Sequence, residues 1–330
     1  MCHTPMVSSD QRQRIKKKGK KKLNEATLNI FSHNVRGLTR AEHIEECISW
    51  TEDRKAWATC LQETWMLGNT IHEHNTSTII NHGPSEKQCK RGSLGVAIVL
   101  NQHARRAWDA AGSQRLYFGI RILATRLKII SDDKRKSTTI FLVSGYAPIG
   151  AAASDVRKDY ESNMQECIAA CGKNEILVIG TDASASVGTR DKQTDSYAPG
   201  RDQVRGKFGI KHQNNAGREF VNLLGINELC LPSTFFRKGT YGTWTNHGNK
   251  LSHQLDHFVV RQADLKRVTD AGRYGALGKD SDHCPIRMLL KTGVKRKEKE
   301  AKAKTYIDRK LLKQAEAAKR FIEIVKSYNV

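Results

Sequence analysis

The chain has 330 residues, with 56 Lys+Arg against 34 Asp+Glu, a formal net charge of +22, 38% hydrophobic residues and 25 glycines. These are the proportions of a globular core, not of a disordered or collagen-like chain, and the positive balance points first to a polyanionic partner. No run of about 18 apolar residues is present and the charged N-terminus has no apolar stretch behind it, so neither a membrane span nor a secretory signal is expected.

Residues 1–22 carry eight Lys/Arg and one Asp and read as a basic, disordered tail. Its lysine run at 16–22 suits a nuclear-localisation or phosphate-binding patch, and equally a solvated charge run. Short β-rich apolar runs then recur: TLNIFSH from Thr27, WATCLQ from Trp57, LGVAIVL from Leu94, TRLKII from Thr125, TIFLVSGY from Thr139 and EILVIG from Glu175. They predict strands. Helical periodicity lies between some of them, at 41–55, at 154–171 with Ser154 as the expected N-cap, and at 215–224 with Asn215 and Gly217 expected to shape and cap the start. The later segments TYGTWTN, HQLDHFVV and PIRMLL are short and punctuated by Gly, Asn and Pro. Strands therefore pair with strands as well as alternating with helices, which favours a layered α/β sandwich over a doubly wound parallel sheet. From 296 to 326 there is neither Pro nor Gly, and apolar residues recur at spacings of three and four, predicting a basic amphipathic helix. A solvated helix packing one stripe on its own domain is favoured over a nucleic-acid-binding arm or a linker. Residues 291–330 carry thirteen Lys/Arg against five acids, so the segment between the two basic ends is only mildly basic and has room for an acidic metal site.

Eight scattered cysteines without a CxxC pair read as reduced thiols of the cytosol or nucleus, with the nucleus favoured, and twelve histidines show no HExxH or finger spacing. Six segments place a polar or charged residue at the end of an apolar run. They are NVRGL at 34–38, LQETW at 61–65, SGYAP at 144–148, GTDASASVG at 180–188, HQLDHFVV at 253–260 and SDHCP at 281–285. Singly, each has an ordinary reading: Glu63 as a strand-end surface carboxylate, Asp182 as a turn former, Asn34 as a tolerant left-handed residue. Together and in this order they resemble the endonuclease/exonuclease/phosphatase superfamily, across about residues 27 to 290. NVRGL, QETW, YAP and the D-x-N-A-x-V-G form are nearest to the apurinic/apyrimidinic-type endonuclease domains of non-LTR retrotransposons.

That resemblance implies two mixed β-sheets flanked by helices, a DNase I-like fold over residues 23–292, with 293–330 as the basic amphipathic helix or linker. It implies a Mg²⁺- or Mn²⁺-dependent phosphodiester hydrolase acting on DNA or RNA, nicking one strand. Hydrolysis of this kind needs a positioned water, a cation for charge developing on phosphate oxygens and support for the leaving alkoxide, and hard oxygen ligands select these cations. By resemblance, Glu63 is the principal metal ligand, with Asn34 and Asp282 near the metal. Asp182 orients or deprotonates the attacking water, His283 contacts the phosphate, Asp256 holds the His283 tautomer, and Tyr146 donates its phenol to a phosphate oxygen. His253 and His257 are expected to be structural, and Trp244 to be core or loop packing. Three residues depart from the family pattern. Arg36 stands where repair-type members place a second acid, Ile149 replaces the Asn after Y-x-P, and Ser184 replaces the Asn of G-D-x-N. Hence a second expectation, a weakened nuclease fold that only binds nucleic acid, stands beside the first. A lipid phosphatase or sphingomyelinase is disfavoured by the charge.

Overall fold

The structure, a computed structural model, describes residues 24–87, 93–131, 135–190, 203–246, 248, 250–275 and 281–296. The basic N-terminal tail and the expected amphipathic helix lie outside the described residues. β1 (Asn24–Asn34) sets the pattern of the architecture. Its side chains alternate, Leu28, Ile30 and Ser32 to one face and Phe31 and His33 to the other, and the strand is covered on both sides.

The first sheet has seven strands, ordered β14 (Val268–Arg273), β15 (Ile286–Arg296), β1, β2 (Ala58–Gln62), β5 (Val96–Asn101), β4 (Ser77–His82), β3 (Asn69–Glu73). The second has six, ordered β10 (Leu229–Cys230), β13 (Asp256–Arg261), β9 (Ile176–Asp182), β8 (Ser137–Tyr146), β7 (Ile122–Ile130), β6 (Leu116–Phe118). A separate ribbon pairs β11 (Trp244–Thr245) with β12 (Ser252–His253). β1 and β2 run parallel, as do β8 and β9, and a helix makes each crossover: α1 (Ala41–Asp53) and α3 (Ser154–Ala169). The remaining ladders of the second sheet are antiparallel, so both sheets are mixed as expected.

Leu28, Ile30, Cys60 and Ile98 of the first sheet pack on Leu142, Val178 and Phe258 of the second, forming the inner core. Leu61, Ile79 and Val99 turn outward under Ile44 and Ile48 of α1. On the far side, Phe141, Val143 and Ile179 lie under Met164 and Cys167 of α3 and Val221 and Leu224 of α4 (Asn215–Ile226). Burial on both faces is why these strands read as continuous apolar runs in the sequence.

Several local expectations are corrected. Ser154 is not an N-cap but the first helical residue of α3, the cap being Ala153, which makes no side-chain cap bond. Asn214, not Asn215, caps α4, its side chain accepting from Gly217 N–H at 2.7 Å. Gly217 is required for another reason: a Cβ there would stand 1.9 Å from the Ser186 carbonyl oxygen. The hairpin of β3 and β4, α2 (Gln102–Asp109), β6, β10 and β14 were not foreseen. β15 runs on to Arg296, past residue 292.

At the centre the sheets touch through small residues. A Cβ on Gly180 would lie 2.9 Å from the Cβ atoms of both Ser32 and Cys60. Beside it, the buried Gln62 Nε2 donates to Ser32 Oγ at 3.1 Å, Ser144 Oγ at 3.2 Å and Gly180 O at 3.3 Å, tying four strands together. Because the obstructing atoms are Cβ atoms on rigid strands, Gly180→Ala is expected to destabilise the fold by about 1–3 kcal/mol. The denaturant midpoint of the purified variant measures this, and an unchanged midpoint would mean that the sheets can part locally.

Candidate active site

Parallel pairing brings the C-terminal ends of β1 and β2 to the same end of the sandwich as those of β8 and β9. In the second sheet Tyr146 is the register partner of Asp182, and Asp182 of Asp256, so three of the expected site residues stand in one row across adjacent strands. From the first sheet, Asn34 ends β1, Glu63 follows β2 with φ +51, and Ser281, Asp282 and His283 precede β15. All eight site residues expected from the sequence lie in this cleft. Asn34, Glu63, Asp182 and Tyr146 join in one hydrogen-bonded group, Asp256, His283 and Asp282 form the facing one, and Ser184 borders the first.

Asn34 is fully buried, and its Nδ2 donates to Glu63 Oε1 at 2.8 Å and to Asp182 Oδ2 at 2.9 Å. Tyr146 donates its hydroxyl to the same Glu63 oxygen at 2.9 Å. Burial and the Glu63 charge together push this phenol well above its ordinary range. Ser184 N–H donates to Asp182 Oδ1 at 2.9 Å, while the Ser184 hydroxyl turns away and donates to Ala147 O at 3.3 Å. On the facing side, His283 Nδ1 bonds Asp256 Oδ2 at 2.9 Å. Nε2 of the same ring points between Asp182 Oδ2 at 3.9 Å and Asp282 Oδ1 at 4.0 Å. At those separations the ring faces both acids beyond hydrogen-bond distance.

Charge explains the protonation of this cluster. Burial raises the Asp182 carboxyl and the neighbouring Asp256 charge raises it further; His283, Asn34 and the Ser184 N–H oppose them, and the balance lies at about 7. Burial also works to raise Asp256, but the His283 charge and hydrogen bond outweigh it and bring that carboxyl below its ordinary value. For His283, burial opposes the charged ring, yet Asp256 first, then Asp182 and Asp282, lift it to about 9. Ligand atoms of Asp182, Asp256 and His283 lie within 4.8 Å of one another. With Glu63 and Asp282 added, acids outnumber cations and supply hard oxygen donors, a set whose chemistry fits a divalent cation.

Some functional side chains escaped sequence reasoning. Trp244, expected to pack in preference to serving as a wedge or stacking platform for DNA, is half-buried and donates Nε1 to Asp282 Oδ2 at 2.9 Å, and its backbone bridges His283. Thr243 Oγ1 accepts from the Leu255 and Asp256 N–H groups at 3.0 and 3.1 Å. Ser281 Oγ donates to Asn34 O at 2.6 Å and accepts from His283 N–H at 3.1 Å, locking the β1 end to the histidine. Their signal was adjacency to the motifs SDHCP and GTW, without any residue type that demanded a role. His257 is buried as expected of a structural histidine, its Nε2 at 3.4 Å from Ala185 O.

No family model matches the chain. Craniofacial development protein 2 of Bos taurus is 26% identical over 201 residues, 59% of this chain and 31% of that protein. The chain thus spans about a third of the length of the curated relatives it matches. Among solved structures, the AP endonuclease LMAP of Leishmania major superposes with a TM-score of 0.58 at 18% identity, covering 80% of this chain and 88% of its own. The endonuclease domain of TRAS1, a telomere-specific non-LTR retrotransposon, gives a TM-score of 0.53 at 15% identity, covering 81% of this chain and 99% of its own. The chain has the fold of the endonuclease/exonuclease/phosphatase superfamily.

Against the superfamily pattern, the three departures now have places. Arg36 lies at the mouth of the cleft with Nη1 3.0 Å from Asp282 Oδ2. Ile149 is 60% exposed beyond the end of β8. Ser184 sits at φ +45, a left-handed conformation that Asn tolerates better than Ser. No described helix is long and apolar enough to cross a membrane.

The raised values fix the sign of the pH dependence. A His283 ring lifted to about 9 stabilises the fold fully below its ordinary 6.5, and that contribution is lost as pH rises toward 9. Asp182, held neutral toward 7 in the fold but ionising near 3.8 when unfolded, also makes stability fall with rising pH, in the lower window. Below about 6.5 His33, His82 and His257, all lowered by burial, work the other way, so the metal-free protein is expected to lose stability from about pH 7 to about pH 9, where the His283 contribution is lost. In an NMR titration His283 should stay protonated at about pH 7.5, and Asp256→Asn should bring its midpoint down to the ordinary histidine range or below. A neutral His283 ring in the wild type at that pH would show that the Asp256 contact does not govern it.

Proposed function

We propose that this chain is a divalent-metal-dependent phosphodiesterase that cleaves DNA, nicking one strand in the manner of a retroelement endonuclease, and that it works in the nucleus. The observation that carries the reading is the His283 ring, bonded through Nδ1 to Asp256, facing Asp182 across 3.9 Å with Asp282 beside it. The arrangement sets a cationic donor beside a base, the two groups that attack of a water on a phosphodiester requires.

Asp182, poised near 7, takes the proton of the attacking water. His283 donates from Nε2 to a phosphate oxygen, and its charge is worth most as negative charge develops there. Asp256 positions His283 through Nδ1 and keeps it protonated. Tyr146 delivers its hydroxyl to a phosphate oxygen when the Glu63 carboxylate is otherwise engaged, and Asn34 sets the spacing between Glu63 and Asp182. Glu63, with Asp282 and the Asn34 amide beside it, would hold the divalent cation, which supplies charge neutralisation for the phosphate and the leaving alkoxide. The net +22 and the two basic ends, which lie mostly outside the described residues, favour DNA over a lipid or small phosphoester and would add salt-dependent phosphate contacts. RNA remains the related substrate class for such a surface.

A second reading, a nuclease fold that binds nucleic acid without cleaving it, is favoured by one observation: the Ser184 hydroxyl is committed to Ala147 O and points no donor at the gap. Supercoiled-plasmid nicking separates the two. Wild type should nick with Mg²⁺ or Mn²⁺, stop with a chelator, and lose about 10²-fold or more on Glu63→Ala. Salt-dependent binding with no nicking in either metal would establish the second reading instead.

Ser184→Asn should raise the nicking rate by up to about 10²-fold, because a carboxamide restores a donor toward the phosphate. The same change suits the left-handed backbone, so thermal stability should hold or rise slightly. Comparing single-turnover rates and melting temperatures checks both parts. A stability gain without a rate gain would place the defect elsewhere.

A further inference from the structure

We propose that Arg36 is a built-in counter-cation that competes with a divalent ion for Asp282 and thereby sets how tightly the site loads. The inference rests on the metal-dependent reading above and extends it to the residue that governs metal affinity.

Local chemistry fixes where Arg36 goes. Asn34 Oδ1 accepts from the Arg36 N–H at 3.2 Å, forming an Asx turn at the end of β1. Arg36 then takes φ +50 and Gly37 φ +123, and the chain returns through Leu38 N–H donating to Thr64 O at 2.7 Å. A Cβ on Gly37 would lie 2.8 Å from the Trp65 ring, so this turn has no room to relax inward. The turn directs the Arg36 side chain across the mouth of the cleft to Asp282 Oδ2 at 3.0 Å. Trp244 Nε1 reaches the same oxygen at 2.9 Å. Two donors from separate loops thus hold Asp282 in place.

The charge count gives this contact its consequence. Glu63, Asp182, Asp256 and Asp282 are acids, and among the described residues His283 and Arg36 pair with them directly. With Arg36 paired, an incoming divalent ion meets an Asp282 already engaged and a like charge beside it. Without Arg36 the empty cleft would hold one more uncompensated negative charge, which lowers the stability of the empty protein and raises the affinity for a cation. The Arg36 side chain is 43% exposed against 12% for Asp282, so the guanidinium has room to swing outward and Asp282 does not. Its exposure also limits the effect, because solvent and salt screen the pair.

The test titrates Mn²⁺ into the full-length wild type, Arg36→Gln, Arg36→Lys and Glu63→Gln, following free Mn²⁺ by EPR, and melts each protein in chelator and in saturating Mn²⁺. Arg36→Gln should bind Mn²⁺ about tenfold more tightly than wild type, melt lower in chelator and gain more from Mn²⁺. Arg36→Lys, which keeps the charge, should stay within about threefold of wild type. In the wild type alone, Mg²⁺ should move the Arg36 guanidinium and Trp244 indole N–H resonances together, a readout that needs no variant to fold. Equal or weaker Mn²⁺ binding by Arg36→Gln, or unmoved resonances at saturating Mg²⁺, would overturn the competition while leaving the metal-dependent reading intact. Mn²⁺ binding by no variant, or undiminished binding by Glu63→Gln, would overturn the metal-dependent reading and this proposal with it.

Discussion

Asp182 and Asp256 are register partners on neighbouring strands, 3% and 1% exposed, and the chemistry around them follows from keeping two carboxylates together in so little water. Two such charges cannot both persist without compensation. His283 supplies part of it, bonding Asp256 and facing Asp182, which is why the histidine is held charged and why Asp182 is the acid left poised near neutral pH. The pair is asymmetric because one carboxylate owns the hydrogen bond to the imidazole and the other does not. That asymmetry is what the proposed roles draw on, Asp256 as a positioning anion and Asp182 as a base.

The fold makes that asymmetry possible by aligning strand ends. Parallel pairing of β8 with β9 places Tyr146 beside Asp182, and antiparallel pairing of β9 with β13 places Asp256 on the other side. Across the cleft, the parallel β1 and β2 deliver Asn34 and Glu63 from the first sheet. The two halves meet only because the sheets approach closely at Gly180 and share the Gln62 hydrogen bonds. A wider sandwich would leave Asn34 unable to reach Glu63 and Asp182 with one nitrogen. Packing at the centre thus sets distances at the rim.

Much of this was legible in the sequence, for reasons that can be named. The inner strands are apolar on both faces, so β1, β2, β5, β8 and β9 stood out as runs, and the residues that end them were the ones that needed explaining. The β3–β4 hairpin was missed because NTIHE is a polar edge strand with one exposed side in alternation, a weak signal beside a fully buried run. Ser154 looked like a helix cap because its residue type suits one, whereas backbone geometry places the cap one residue earlier. Trp244 was read as packing, since nothing in GTYGTW discloses that its indole meets a carboxylate 38 residues further on. Contacts between loops of that kind depend on tertiary structure and leave no periodic trace.

The three departures act on three different parts of the site. Ile149 concerns the outer face, where an exposed apolar side chain stands in place of the Asn of the superfamily pattern. Ser184 concerns the gap itself, where the N–H still serves Asp182 but the side chain serves the backbone. Arg36 concerns the charge of the empty cleft. None of them disturbs the buried Asp182, Asp256 and His283 group. Such a group contributes little to folding that well-packed apolar side chains would not supply as well or better, since desolvating charges costs several kcal/mol per ion. Its presence, with its own positioning bonds from Thr243, Ser281 and Asn34, is therefore difficult to account for as scaffolding. A binding surface for phosphate backbones would, moreover, gain nothing from a buried excess of acids. The physical weight of the site thus falls on the side of the proposed chemistry, since none of the three departures removes a member of this buried group.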